Sequence, residues 1–122
     1  MFKIEGNKIY ITRGDKGTIE LTIEDYTFKV DDKIELRIYK KNRLNEAPLK
    51  EKKVIVDKET SSINIELTSE DTKIGDIANK ATEYWYEIEL NDNQTLIGYD
   101  EEGAKILKLY PEGADKNDNS SE

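Results

Sequence analysis

The sequence predicts one all-β domain, an antiparallel β-sandwich of about eight strands. Apolar and polar residues alternate strictly in several segments, as at residues 18–24, where Ile19, Leu21 and Ile23 are separated by threonine and glutamate. Polar turn signals separate these segments roughly every ten residues, as sandwiches require. The 122 residues suffice for one hydrophobic core without a metal or a disulfide.

Four segments carry the alternation most clearly. A period of two places β-branched residues on one sheet face and charged residues on the other, which is typical of half-buried antiparallel strands. The residues predicted to face the core are Ile9 and Ile11, then Ile19, Leu21 and Ile23, then Ile34, Leu36 and Ile38, and finally Ile63, Ile65 and Leu67.

Four further strands are predicted at residues 53–56, 83–90, 95–99 and 104–110. In the second of these, two tyrosines, an isoleucine and a leucine share one face, while Trp85 lies with glutamates on the other. A turn at residues 91–93 predicts a hairpin with the strand that follows. Eight short strands with this turn spacing favour a sandwich or a small barrel, and of the two we expect an immunoglobulin-like sandwich.

Two regions depart from the strand pattern. Alternation stops from residue 68 to residue 81, and Thr68-Ser69-Glu70-Asp71 resembles a helix N-terminus, so we expect one short helix or 3₁₀ turn there. Residues 111–122 are rich in glycine, aspartate, asparagine, serine and glutamate. They predict a disordered acidic tail that follows a domain at residues 1–110.

Composition excludes several function classes. The chain has no cysteine and no histidine, which removes the best nucleophile and the commonest general base, and adjacent carboxylates on a strand point to opposite faces. We therefore expect no enzymatic activity, no cofactor and no metal site. A net charge of −8 argues against nucleic acid as a partner. No apolar run approaches a membrane helix, and the first residues do not form a signal peptide.

The aromatic residues are the candidate contact residues. Trp85 stands on the polar face of its predicted strand, where it would be an exposed anchor for a partner or a sugar. The alternative interpretation has Trp85 partly covered and its neighbours in the core. Tyr39, Tyr10 and Tyr99 also fall on outward or ambiguous faces of predicted strands, and they complete the predicted binding set.

The order of short motifs resembles that of small β-sandwich proteins encoded in tail and baseplate gene clusters of phages of Gram-positive bacteria. The chain is similar to the N-terminal domain family of upper baseplate proteins over residues 7–110. The motifs that carry the resemblance are Gly14-Asp15, residues 17–23, residues 63–68, residues 70–72 with Gly75, and residues 86–90. Residues 76–83 depart from the family pattern as an insertion.

The resemblance implies a structural virion protein of the tail, baseplate or neck. Such a protein would be made in the bacterial host cytoplasm, would dock onto other virion proteins and would form a homo-oligomer within the assembly. Two alternatives stay open. An intracellular phage-encoded inhibitor could use the acidic surface to mimic nucleic acid and block a host defence protein. A carbohydrate-binding module could use Trp85 and the tyrosines as a stacking platform.

Overall fold

The computed structural model describes residues 1–76 and 79–112, and this part of the chain is all-β. Its nine strands are β1 (Phe2–Glu5), β2 (Lys8–Thr12), β3 (Gly17–Leu21), β4 (Lys33–Lys40), β5 (Lys50–Ile55), β6 (Ile63–Leu67), β7 (Thr82–Leu90), β8 (Gln94–Ile97) and β9 (Lys105–Tyr110). β1 is a strand that the sequence pattern did not indicate. Most of the predicted acidic tail, residues 113–122, lies outside the described residues.

The strands form two sheets that share one hydrophobic core. The large sheet has seven strands in the order β1-β2-β9-β7-β4-β5, with β8 beside β7, and the small sheet pairs β3 with β6. Alternate residues of both sheets belong to a single buried cluster. The core-facing residues predicted on the four clear strands are buried, except for Ile23, which follows β3 and is partly buried.

One strand pair corrects the prediction of a purely antiparallel fold. β2 runs parallel to β9, with Ile9 opposite Leu107 and Ile11 opposite Leu109. The chain leaves β2 through a tight turn in which the Asp15 amide donates to the Thr12 carbonyl, and β3 then pairs with β6 in the small sheet. The N-terminal hairpin therefore extends the large sheet instead of pairing with the next strand.

The predicted helix is absent among the described residues of the 68–81 segment, which form turns and bends. The capping signal itself is present, because the Thr68 amide donates to the Asp71 carboxylate and the Asp71 amide donates to the Thr68 hydroxyl. A single turn follows, with the Lys73 amide donating to the Glu70 carbonyl. Gly75 then adopts φ +66°, a left-handed conformation that ends any helical path.

The last two strands lie along the same edge of β7. β8 pairs with the C-terminal part of β7, and β9 pairs with its N-terminal part. Residues 98–104 leave the sheet between them as a loop closed by the Asp100 and Gly103 bridge. Tyr99 lies on this loop and not at the end of a strand. The described residues contain no helix that could cross a membrane.

Candidate protein-binding surface

The outer face of the large sheet brings three apolar side chains into one row. Trp85 on β7 lies opposite Tyr39 on β4 and, on its other side, opposite Ile106 on β9. Each of these positions alternates with core residues of its own strand, so all three side chains point away from the core. Trp85 and Ile106 are half-buried.

Tyr99 packs against Trp85 from the loop at residues 98–104. The two ring centroids are 5.8 Å apart and the rings are tilted by 55°, a favourable geometry for aromatic pairs. Tyr99 is 63% exposed, the highest value among the large apolar side chains of the described residues. Trp85, Tyr99 and Ile106 form the aromatic patch, an apolar area on an otherwise charged face.

Tyr39 adjoins this patch but is not available to a partner. Its side chain is buried, at 6% exposure, and its hydroxyl donates a 2.8 Å hydrogen bond to Glu87. Burial, together with this bond, raises the pKa of Tyr39 to about 12. Tyr39 therefore supports Trp85 and orients Glu87, and its predicted role as an exposed contact residue does not fit its burial.

An acidic cluster borders the aromatic patch on the same face. Its five carboxylates surround the Arg37 guanidinium at distances of 2.5–3.7 Å and belong to Glu35, Glu51, Glu87, Glu89 and Asp92. The hydrogen bond to Glu89 is the main reason that the pKa of Arg37 lies above its usual value. Lys33 also pairs with two of these carboxylates, so the cluster keeps a net negative charge.

Tyr10 lies apart from the other three predicted residues. It stands on β2 opposite Lys108 of β9, and β9 separates it from Trp85. The ammonium groups of Lys3 and Lys8 lie 5.0 and 5.2 Å from its ring centroid. Tyr10 therefore belongs to a separate basic area of the same face, where cation–π contacts occupy its ring.

The structure brings together two of the four predicted residues, the exposed Tyr99 and the half-buried Trp85, which is partly covered as the alternative interpretation expected. Sequence reasoning missed Ile106 and Arg37, whose positions follow from strand register. Within the described residues, no group of histidine, cysteine, aspartate or glutamate could hold a metal ion. Comparison of the chain with protein-family models, curated proteins and solved structures gives no match.

Proposed function

We propose that this chain is a structural phage virion protein of the tail, baseplate or neck, which docks onto other virion proteins and catalyses no reaction. The family resemblance of residues 7–110 supports the virion assignment. The observation that carries the docking role is the Trp85–Tyr99 pair, because tyrosine and tryptophan supply large, rigid contact area at protein interfaces.

The proposed architecture is an immunoglobulin-like β-sandwich. The strand order supports it: β9-β7-β4-β5 corresponds to the order G-F-C-C′ of immunoglobulin sheets, and the β3–β6 pair corresponds to B-E. Domains of this class commonly act as adaptors, although fold alone does not fix function. The aromatic patch would then lie on the outer face of the G-F-C sheet.

The proposed partner is another protein subunit with basic and apolar residues on its contact surface. Apolar groups would cover Tyr99 and Trp85, and cationic groups would complement the acidic cluster beside them. Repetition of this contact around a symmetric particle would place several copies of the chain in one assembly, which is the homo-oligomer that we propose.

Mass spectrometry of purified particles from the phage that encodes the chain tests the virion assignment. The protein should be present in a fixed ratio to other tail proteins, and its absence would refute a structural role. Incorporation of Tyr99→Ser should fall strongly. Val30→Ser is the matched control, because Val30 is also exposed, at 56%, and lies outside the aromatic patch. Equal incorporation of the two variants would show that docking uses another surface.

A carbohydrate-binding module is the second candidate. An exposed aromatic ring can stack on a sugar, and the carboxylates on the same face can accept hydrogen bonds from the sugar hydroxyls. Glycan arrays and titrations of Trp85 fluorescence with sugars distinguish the candidates. Only a sugar-binding role predicts that Trp85 fluorescence changes saturably as a sugar is added. The nucleic-acid mimic is less well supported, because Arg37 stands at the centre of the acidic cluster and neutralises part of it.

A further inference from the structure

A cleft of about 750 Å³ opens at one end of the large sheet and shares no lining residue with the aromatic patch. It lies where β4 ends and β7 begins, beside the described part of the segment that connects β6 to β7. Its walls include Lys40, Lys41, Lys80, Leu49 and Tyr84. The volume falls within the range of small-molecule sites in proteins.

The close approach of Gly75 to Tyr84 forms one wall of this cleft. A Cβ atom at Gly75 would lie 2.2 Å from the Tyr84 hydroxyl oxygen, so only glycine lets the backbone pass there. The Tyr84 side chain is buried, and within the described residues its hydroxyl has no hydrogen-bond partner. The hydroxyl oxygen itself is not fully enclosed, and since Tyr84 lines the cleft, the hydroxyl is a donor that a bound ligand could use.

The lining of the cleft is slightly positive in a chain of net charge −8, because three lysines face two carboxylates. Lys41 pairs with Glu83 at 3.4 Å, whereas Lys40 and Lys80 form no ion pair with any residue that the structure describes. Asp76 is the remaining carboxylate of the lining, so the lysines exceed the acidic residues.

A smaller pocket adjoins the cleft and adds an arginine. It shares Asp76, Lys80 and Tyr84 with the cleft and is also lined by Arg13. Arg13 donates to Glu112 at 3.0 Å, but its Nε is buried and has no partner among the described residues. The smaller pocket, at about 10 Å³, has space for no more than about one water molecule, so Arg13 adds positive charge beside the cleft and is not a direct ligand contact.

We propose that this cleft binds an anionic ligand that carries an apolar portion. Lys40 and Lys80 attract its charged group, and the Tyr84 hydroxyl donates a hydrogen bond to it. Leu49 and the Tyr84 ring contact the apolar portion. The proposal does not depend on the docking function, because the cleft and the aromatic patch share no residue.

A titration of the full chain with 8-anilinonaphthalene-1-sulfonate, an anion with an apolar body, tests this site. Binding is followed by the fluorescence of the probe and by the amide NMR chemical shifts of the protein. Shifts should concentrate at Gly75 and at residues 80–84. The double variant Lys40→Gln, Lys80→Gln should weaken binding about tenfold, as expected for the loss of two exposed charge contacts. Lys58→Gln is the control, since Lys58 is exposed and lies outside the cleft. Unchanged affinity in the double variant, or shifts confined to the aromatic patch, would overturn the proposal.

Competition identifies the ligand chemistry. Decanoate and decyl phosphate should displace the probe and decanol should not, and displacement by decanol at equal concentration would refute the role of the charge. A full-chain variant with Asp115→Asn, Asp118→Asn and Glu122→Gln tests whether carboxylates of the chain itself compete with the probe for the cleft. Tighter probe binding in that variant would identify them as competitors, and unchanged binding would assign the site to an external ligand.

Discussion

Asp71 holds the loop after β6 against the edge of the large sheet, and we expect Asp71→Asn to destabilise the fold. Its carboxylate, 9% exposed, pairs with Lys50 at 3.0 Å and Lys52 at 2.5 Å, and it accepts the Thr68 amide at 2.9 Å. Burial alone raises the pKa of this carboxyl, but the bonds from Lys52, Thr68 and Lys50 outweigh burial and hold the pKa well below its usual range.

The expected loss is about 2 kcal/mol. Asparagine keeps an acceptor for the Thr68 amide but loses two charge-assisted contacts, each worth about 1.5–3 kcal/mol when buried. Both lysine side chains are about 30% exposed, so water compensates part of this loss. With an unfolding entropy near 2 cal/mol/K per residue, the melting temperature should fall by about 8 °C.

Urea and thermal unfolding followed by circular dichroism measure this effect, with Glu70→Gln as the control, because Glu70 is the exposed neighbour of Asp71. Because the pKa of Asp71 is lowered in the fold, its contribution is present above the unfolded pKa near 3.9 and is lost as pH falls toward the folded pKa. The difference between wild type and variant should therefore shrink at pH 3. A loss below about 0.5 kcal/mol at pH 7, or a difference independent of pH, would refute this reasoning.

Three further substitutions test other contacts. Gly75→Ala should cost about 2–3 kcal/mol, because alanine is strained at φ +66° and its Cβ would meet the Tyr84 hydroxyl, and Tyr84→Phe in the same chain should restore part of the melting temperature. Tyr86→Phe should lose about 1 kcal/mol in urea unfolding, because the buried Tyr86 hydroxyl donates to the Asn7 carbonyl. Arg37→Gln should lose about 2 kcal/mol at low salt and less in 1 M NaCl, because salt screens the repulsion among the carboxylates that remain.

Local alternation predicted which residues face the core, because a period of two fixes the side of the sheet for each residue. It did not predict the partner of each strand, since the alternation around Ile9 and Ile11 is the same for parallel and antiparallel pairing. The pairing of β2 with β9 depends on residues nearly a hundred positions apart. β1 was missed because four residues are too few to separate a strand from a polar terminus.

Alternation also predicted only part of the candidate site, because it does not show which residues meet there. Alternation placed Trp85 correctly on the outer face, and there it meets Tyr99 from a loop that no strand pattern indicates. Tyr39 also points outward, but alternation gives the direction of a side chain and not its coverage by neighbours. The basic cleft combines side chains from positions 40, 49, 80 and 84, and only the fold brings them together.

The charged residues of β5, an edge strand of the large sheet, favour the proposed docking through the outer sheet face over pairing at this edge. Lys50 and Lys52 point to the inner side, opposite Ile38 and Leu36, and their ammonium groups reach Asp71 across the open side of the two sheets. Inward-pointing charges on an edge strand oppose pairing with another chain, because a new neighbour would bury them. The large sheet is thereby protected at this edge, which favours the proposed docking through the aromatic patch over strand pairing at β5.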